Sequence, residues 1–571
     1  MARRLPPVRD QAQLMARFFR HLYPVPLYSF LHEKSIMQRC LGENLPEALN
    51  LAICAISALH LQDHRYHPAA TVGWIRRAES ILWSHIERPT IFRTQALLLV
   101  IQYRIETGEF QKAFMLSSIA SRAASALRLH YERTDIHPLA QEVRRRLMWC
   151  LILMDMRFSS GLLECELCPF ENVYLNRPSS EEEFSALHET GRDLNKKNPH
   201  SVAEDGLLSL LIRQASLRRD ISRLKRQVSL AGNPVPQLED LVHAFKRNLE
   251  QLPIAPYRLE DLREYSRSRW LPRYILAHLS WHQCNCDLYR LFLSGYKEAA
   301  PEVVTGSVSP GFTENAVSVC LHHAQSIVAV LHDLAGLEDA DLKVVDNDVA
   351  ICSYHASRII IFISGSCLKP PNSNLTTESA VAKARSTLEI LRRLYKNSTL
   401  AKYILSDLEA VIQDPTTTAA ATTDEDAPEE GQPSAPKRPQ FARRAQKHQN
   451  LAVHSVLRHA RFVDDSHRAV SHSEKQTKKP DDSTGSNATG KDFSQDEDRP
   501  HAVVTNMIHN RYDAFGGLAL ETDVLPDAAG GDFMGLSSQT FNELSSFSFW
   551  GNWNETWGPN EWPMGSDENY F

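Results

Sequence analysis

The sequence predicts an all-α protein: a multi-helix domain with antiparallel helical hairpins, followed by a disordered linker and an acidic, aromatic-rich tail. Three observations carry this. Apolar residues recur at helical spacing through most of residues 9–412. No comparable run alternates apolar and polar residues as a half-buried strand would. From Pro415 the text turns to Thr, Ala, Asp, Glu and Pro, too poor in apolar surface to offset the entropy of ordering. The chain therefore divides into a helical domain over residues 1–413, a basic linker over 414–511 and a tail over 512–571.

Taken in order, Leu14, Phe18, Phe19 and Leu22 make the first apolar stripe. Leu49, Ile53, Ile56 and Leu59 make the second, with Asn44 and Pro46 as start signals. Trp74, Ala78, Ile81 and Leu82 continue the series. A hairpin follows: residues 92–107 carry Leu97, Leu98, Ile101 and Ile105, Gly108 stops the helix, and residues 110–127 return. So short a connection forces antiparallel neighbours. His137-Pro138 opens a helix to about Phe158, proline being tolerated in the first turn. Further helices are expected near 202–230, 237–251, 267–294, 314–334, 345–366 and 377–412, with one short helix in the linker around 450–463. No segment repeats at a fixed period, which weighs against a solenoid.

The formal net charge of −6 argues against a surface built for wholesale phosphate binding. Its distribution is uneven: residues 437–479 hold eleven Lys/Arg against three Asp/Glu, whereas residues 512–571 hold ten Asp/Glu and no Lys or Arg. Ten cysteines scattered in apolar stretches are too sparse for a secreted disulfide scaffold. The longest apolar runs, near residues 96–101 and 359–363, are too short to span a bilayer. The sequence reads as that of an intracellular protein with no membrane partner.

Signals for chemistry are thin. Gly485-Ser-Asn-Ala-Thr-Gly-Lys491 follows a phosphate-loop pattern up to its lysine, but Asp492 replaces the Ser/Thr that would bind magnesium, and no strand precedes it. His60, His64 and His67 lack the glutamate of a zincin helix and read as a helix-end cluster on a solvated face. Cys165/Cys168 and Cys284/Cys286 are the close cysteine pairs, and both read as packing positions. No catalytic residue and no metal ligand is assigned.

Residues 90–163 hold an ordered set: Arg93-Thr94-Gln95-Ala96-Leu97-Leu98-Leu99, Tyr103-Arg104, Gly108, Ala113 to Ala124, Leu127-Arg128-Leu129-His130, Glu142 to Trp149, and Asp155. This order resembles the middle homology region of fungal zinc-cluster transcription factors. The resemblance implies a helical regulatory domain in a nuclear regulator of RNA polymerase II transcription. Each piece also has a physical role. Gly108 turns the chain, and Ala120, Ala123, Ala124 and Ala126 let helices approach closely. Glu142 and Arg146, at i,i+4, are expected to pair at the surface, leaving Arg144 and Arg145 for other partners. Trp149 packs on the same face as Leu153, and Asp155, in an apolar stretch, calls for a buried partner such as an arginine. Two places depart from the family pattern: Leu127-Arg128-Leu129-His130 stands for Gly-Leu-His, and Leu162-Leu163-Glu164-Cys165 for Gly-Arg-Pro.

The family's binuclear zinc cluster needs six closely spaced cysteines, because two ions share thiolates. These 571 residues hold no such run, so no cofactor is expected here, and zinc only with an upstream zinc-cluster module. DNA is then reached through that module or a partner, with a homo- or heterodimer as the assembly. In the linker, Lys437, Arg438, Arg443, Arg444 and Lys447 form a basic cluster of the type import receptors recognise. In the tail, Phe547, Phe549, Trp550, Trp553, Trp557 and Trp562 are held apart by negative charge and are candidates to bind transcriptional coactivators by coupled folding. Trp550, Trp553 and Trp557 would share one face of an induced helix. The rival reading is a helical scaffold or adaptor of repeat type, for which Gly108-Glu-Phe-Gln-Lys-Ala113 supplies a single repeat-like copy.

Overall fold

The computed structural model describes residues 5–419, except 62–64, 161, 191–205, 232, 338–341, 343, 371–373 and 397, together with residues 455–460. The basic cluster Lys437 to Lys447, the loop-like Gly485 to Lys491, His64 and the whole acidic tail lie outside the described residues.

Every regular element described is helical. The first half holds α1 (Val8–Arg17), continued by a π-helical turn Phe18–Leu22, then α2 (Glu33–Leu41), α3 (Glu47–His60), α4 (Pro68–Trp83), α5 (Ile91–Glu106), α6 (Phe110–Ala126) and α7 (Pro138–Ser159). After α8 (Glu181–Thr190) come α9 (Leu207–Leu230), α10 (Leu238–Glu250), α11 (Leu259–Tyr265), α12 (Leu271–Tyr289), the short α13 (Glu302–Thr305), α14 (Pro310–Ala335), α15 (Asn347–Gly365), α16 (Thr377–Leu394) and α17 (Thr399–Gln413).

Local chemistry accounts for the ends. Thr90 caps α5 by accepting from the Arg93 amide, and Gly108, at φ +83°, closes the hairpin between α5 and α6. A side chain at Gly108 would also meet the Thr399 methyl at 2.9 Å. The helix expected over 377–412 is two: Ser398 caps α17 by accepting from the Ala401 amide, which restarts the chain as a second helix. Helices α2, α8, α11 and α13 were not anticipated. Each is short, and α2 and α11 bury only Ile36 and Cys40, and Leu262, among the described side chains, so their sequence periodicity is weak. Of the short helix expected near 450–463, the described part is a 3-10 turn, Val456–His459.

Two apolar cores organise these elements. One is built by α1 to α7, from Leu14 to Phe158; the other by α9 to α17. Two helices belong to both. In α9, Leu208 and Ile212 point into the first core while Leu210, Leu211, Leu224 and Val228 point into the second. In α17, Leu400 enters the first core and Ile404 and Leu408 the second.

Candidate functional site

The polar side chains of α7 converge on the segment that follows it. Pro138 occupies the first turn, and the His137 ring accepts from the Leu139 amide as a cap. One turn on, Glu142 and Arg146 pair at 2.8 Å. Both are wholly buried, so the surface pair expected from their spacing is instead an interior one. The reason is that both have further partners. Glu142 accepts from the Ser179 amide at 3.0 Å and from Arg145. Arg146 donates to the Ser179 carbonyl, to the Tyr23 hydroxyl at 3.0 Å and to Glu181 at 2.8 Å, and lies 4.1 Å from the Phe184 ring centroid. A buried charge persists only when paired and hydrogen-bonded in this way.

Arg145, Trp149 and Asp155 grip the same returning segment. Arg145 makes a two-pronged pair with Glu132 at 2.9 Å, and Glu132 in turn accepts from the Asn176 amide. Trp149 donates Nε1–H to the Asn176 carbonyl at 2.9 Å. Asp155 accepts the Leu167 and Cys168 amides at 2.8 and 2.9 Å on Oδ2. Its partners are thus backbone amides rather than the anticipated arginine. Burial dominates, pushing its carboxyl up to about 6 against the pull of those two amides. The strip from Glu166 to Glu181 is held along most of α7.

That strip clamps the second half of the chain. Glu166 and Glu171 together take Arg219 and Arg223 of α9, at 2.6 to 2.9 Å. Glu181, at the start of α8, takes Arg273 of α12 at 2.5 Å. Arg273 is buried and spends its remaining donors on the Pro24 carbonyl at 2.8 Å, the Tyr23 carbonyl and the Ser29 hydroxyl at 2.7 Å. Burial alone would raise the Glu181 carboxyl; Arg273 and Arg146 hold it down at about 2. Beside this junction an open cleft of about 100 Å³ is lined by Leu153, Arg157, Arg218, Arg219, Asp346 and Asp348 among others. Its charges are mutually paired: Arg157 with Asp346 at 2.5 Å, Arg218 with Asp287 at 3.4 Å and Asp348 at 3.6 Å.

This arrangement positions helices. Burial pushes the thiols of Cys150, Cys168 and Cys284 up to about 12, away from thiolate nucleophiles or metal ligands. His282 and His323 face each other at 2.8 Å between Nδ1 atoms. Burial first, and then neighbouring histidines, depress them to about 3 and about 4, so the pair is neutral near pH 7. Among the described residues no group of three His, Cys, Asp or Glu could hold a metal ion. The donor set of this chain does not fit a binuclear zinc cluster. Among the described residues, too, no helix is long and apolar enough to cross a membrane. His60, expected on a solvated face, is half-buried, with its Nε2 3.1 Å from the Tyr28 hydroxyl.

Gly108 closes the α5–α6 turn, and Arg145, Trp149 and Asp155 lie along α7 against the returning segment. The residues missed by sequence reasoning are Glu132, Glu181 and Arg273. Arg273 carried a signal: a lone arginine in the apolar run Leu271 to Leu279 must find a buried partner. Glu132 and Glu181 carried none, lying in polar segments that only the fold brings against α7.

Residues 15–229 match the family model described as the fungal specific transcription factor domain. These residues are a fungal specific transcription factor domain. Its family is one of transcription factors, not of enzymes. The chain is 26% identical over 350 residues to the Zn(2)-C6 fungal-type transcription factor FTF1c of Fusarium oxysporum f. sp. lycopersici, covering 55% of this chain and 37% of that protein. It is 24% identical over 334 residues to the uncharacterized transcriptional regulatory protein C530.11c of Schizosaccharomyces pombe, covering 51% of this chain and 38% of that one. The chain therefore spans well under half the length of these relatives. No solved structure matches it significantly. The grip of α7 on the returning strip, and the clamp on α9, lie wholly inside the domain. Arg273 lies beyond it and ties it to the second core.

Proposed function

We propose that the chain is a nuclear transcriptional activator of RNA polymerase II genes, in which the helical domain is a regulatory platform and residues 512–571 recruit coactivators. The match of residues 15–229 to the fungal specific transcription factor domain carries this reading, and the acidic, aromatic composition of the tail supports the activating role. Solvated aromatics spaced by carboxylates suit coupled folding onto an apolar groove. Contact with DNA, in this reading, comes from a zinc-cluster module or from a partner subunit, consistent with the names of the Fusarium relatives. Lys437, Arg438, Arg443, Arg444 and Lys447 serve nuclear import.

Fusing residues 512–571 to a foreign DNA-binding domain tests the activating role: the fusion should drive a reporter, and replacing Trp550, Trp553 and Trp557 by alanine should abolish the signal. An intact tail that leaves the reporter silent would remove activation from the account. For import, Arg443→Ala with Arg444→Ala should reduce nuclear accumulation of the full chain, and unchanged localisation would exclude that cluster.

A further inference from the structure

Residues 455–460 return to the helical domain after the basic stretch and dock on its first core. Val456 is 1% exposed and Ala460 5%, and both belong to the apolar cluster formed by α1 to α7. The Ser455 hydroxyl, fully buried, donates to the Phe158 carbonyl in the last turn of α7 at 2.7 Å. Arg458 Nη1 lies 3.2 Å from Asp407 Oδ2 on α17. The occupied groove therefore runs between α6, α7 and α17.

Among the described side chains of this segment, the apolar anchors are Val456 and Ala460, both small. Val and Ala bury far less apolar surface than the aromatic and leucine side chains that hold the domain itself together. The Arg458–Asp407 pair is 41% and 33% exposed, and exposed pairs contribute little. Such a contact persists because it is intramolecular. A tether of this length supplies an effective concentration on the order of millimolar, enough to seat a weak segment without making it permanent. The Phe158 carbonyl lies at the C-terminal end of α7, where the helix dipole is negative, so the site accepts a neutral donor at 455 and repels an anion.

We propose that residues 455–460 are a releasable strap. Seated, they close the groove and anchor residues 420–454, with the basic cluster inside them, at both ends. Released, they open the groove and leave the basic cluster tethered at one end only. The consequence for import rests on the import reading above; the docking does not.

Limited trypsin digestion of the full chain, read by mass spectrometry, tests the strap. Cleavage after Arg458 should be at least about tenfold slower than after Arg443 in the wild type. The two rates should converge in Val456→Asp and in Ser455→Glu, the latter setting a carboxylate against the Phe158 carbonyl. Equal rates in the wild type would overturn the proposal. A labelled peptide of residues 452–463 gives an independent arm: it should bind the Val456→Asp chain and be excluded at least about tenfold by the wild type. The same peptide carrying Arg458→Asp should lose affinity for the Val456→Asp chain and regain it when that chain also carries Asp407→Arg. Binding that is equal in wild type and variant, or indifferent to residue 407, also overturns it. If Arg443→Ala with Arg444→Ala leaves localisation unchanged while the trypsin pattern holds, the import reading fails and the strap stands.

Discussion

Arg273→Met removes a charge while keeping most of the side-chain volume, and it isolates the junction between the two cores. The guanidinium is buried and satisfies Glu181, the Pro24 and Tyr23 carbonyls and the Ser29 hydroxyl. Breaking a buried pair by removing one partner costs about 3–5 kcal/mol. A second route gives a similar scale: Glu181 drops from 4.5 to about 2 on folding, which corresponds to about 3 kcal/mol, shared between Arg273 and Arg146. Retention of Arg146 beside Glu181 places the expected loss at about 3 kcal/mol, the lower end of that range. Urea denaturation followed by tryptophan fluorescence suits the test, because Trp270 lies 4.5 Å from the Arg273 guanidinium. Introduced into a Glu181→Gln background, the same substitution should cost about 1–3 kcal/mol less. The sign of the pH dependence follows from the depressed carboxyl: its contribution is present above pH 4.5 and is lost as pH falls toward 2. The difference between wild type and variant should therefore shrink below pH 4.5. A loss under about 1 kcal/mol at pH 7, the size of an exposed pair, or an equal loss in both backgrounds, would refute the assignment of Arg273 as the pin between the cores.

Gly108→Ala should destabilise by about 1–2 kcal/mol, since φ is +83° and the new methyl would meet Thr399 at 2.9 Å; a thermal melt matching wild type would show that the hairpin turn relaxes freely. Asp155→Asn should leave stability at pH 7.5 within about 1 kcal/mol of wild type, because among the described residues the carboxylate is held by the Leu167 and Cys168 amides and forms no salt bridge. A much larger loss by urea titration would mean that its charge is used. The neutral His282–His323 pair is held well below the ordinary imidazole value of 6.5, so the unfolded chain binds protons that the folded one refuses. Stability should fall as pH drops from 6.5 toward 4, and His323→Leu should flatten that dependence between pH 7.5 and 5.5. An unchanged slope would place the titrating groups elsewhere.

The sequence alone determined the helical class, the α5–α6 hairpin turned at Gly108, the opening of α7 at His137-Pro138 and the family resemblance. All of these are encoded within a few residues, by periodicity, caps and a glycine's freedom to adopt positive φ. It also determined the charge polarity of residues 414–571 and the absence of six clustered cysteines, which are matters of composition. Tertiary structure decided the rest. The i,i+4 spacing of Glu142 and Arg146 is the same on a surface as in an interior, and only the arrival of Ser179, Glu181 and Tyr23, far away in the chain, made that pair a buried one. Asp155 needed a partner, but the amides of Leu167 and Cys168 carry no side-chain signature by which a sequence could announce them. The strap at 455–460 is the extreme case: the apolar residues near Val456 suggest a short helix, but nothing in them names the surface on which Ser455 and Val456 are buried. Whether such residues are solvated or seated depends on a groove built by three helices that precede them.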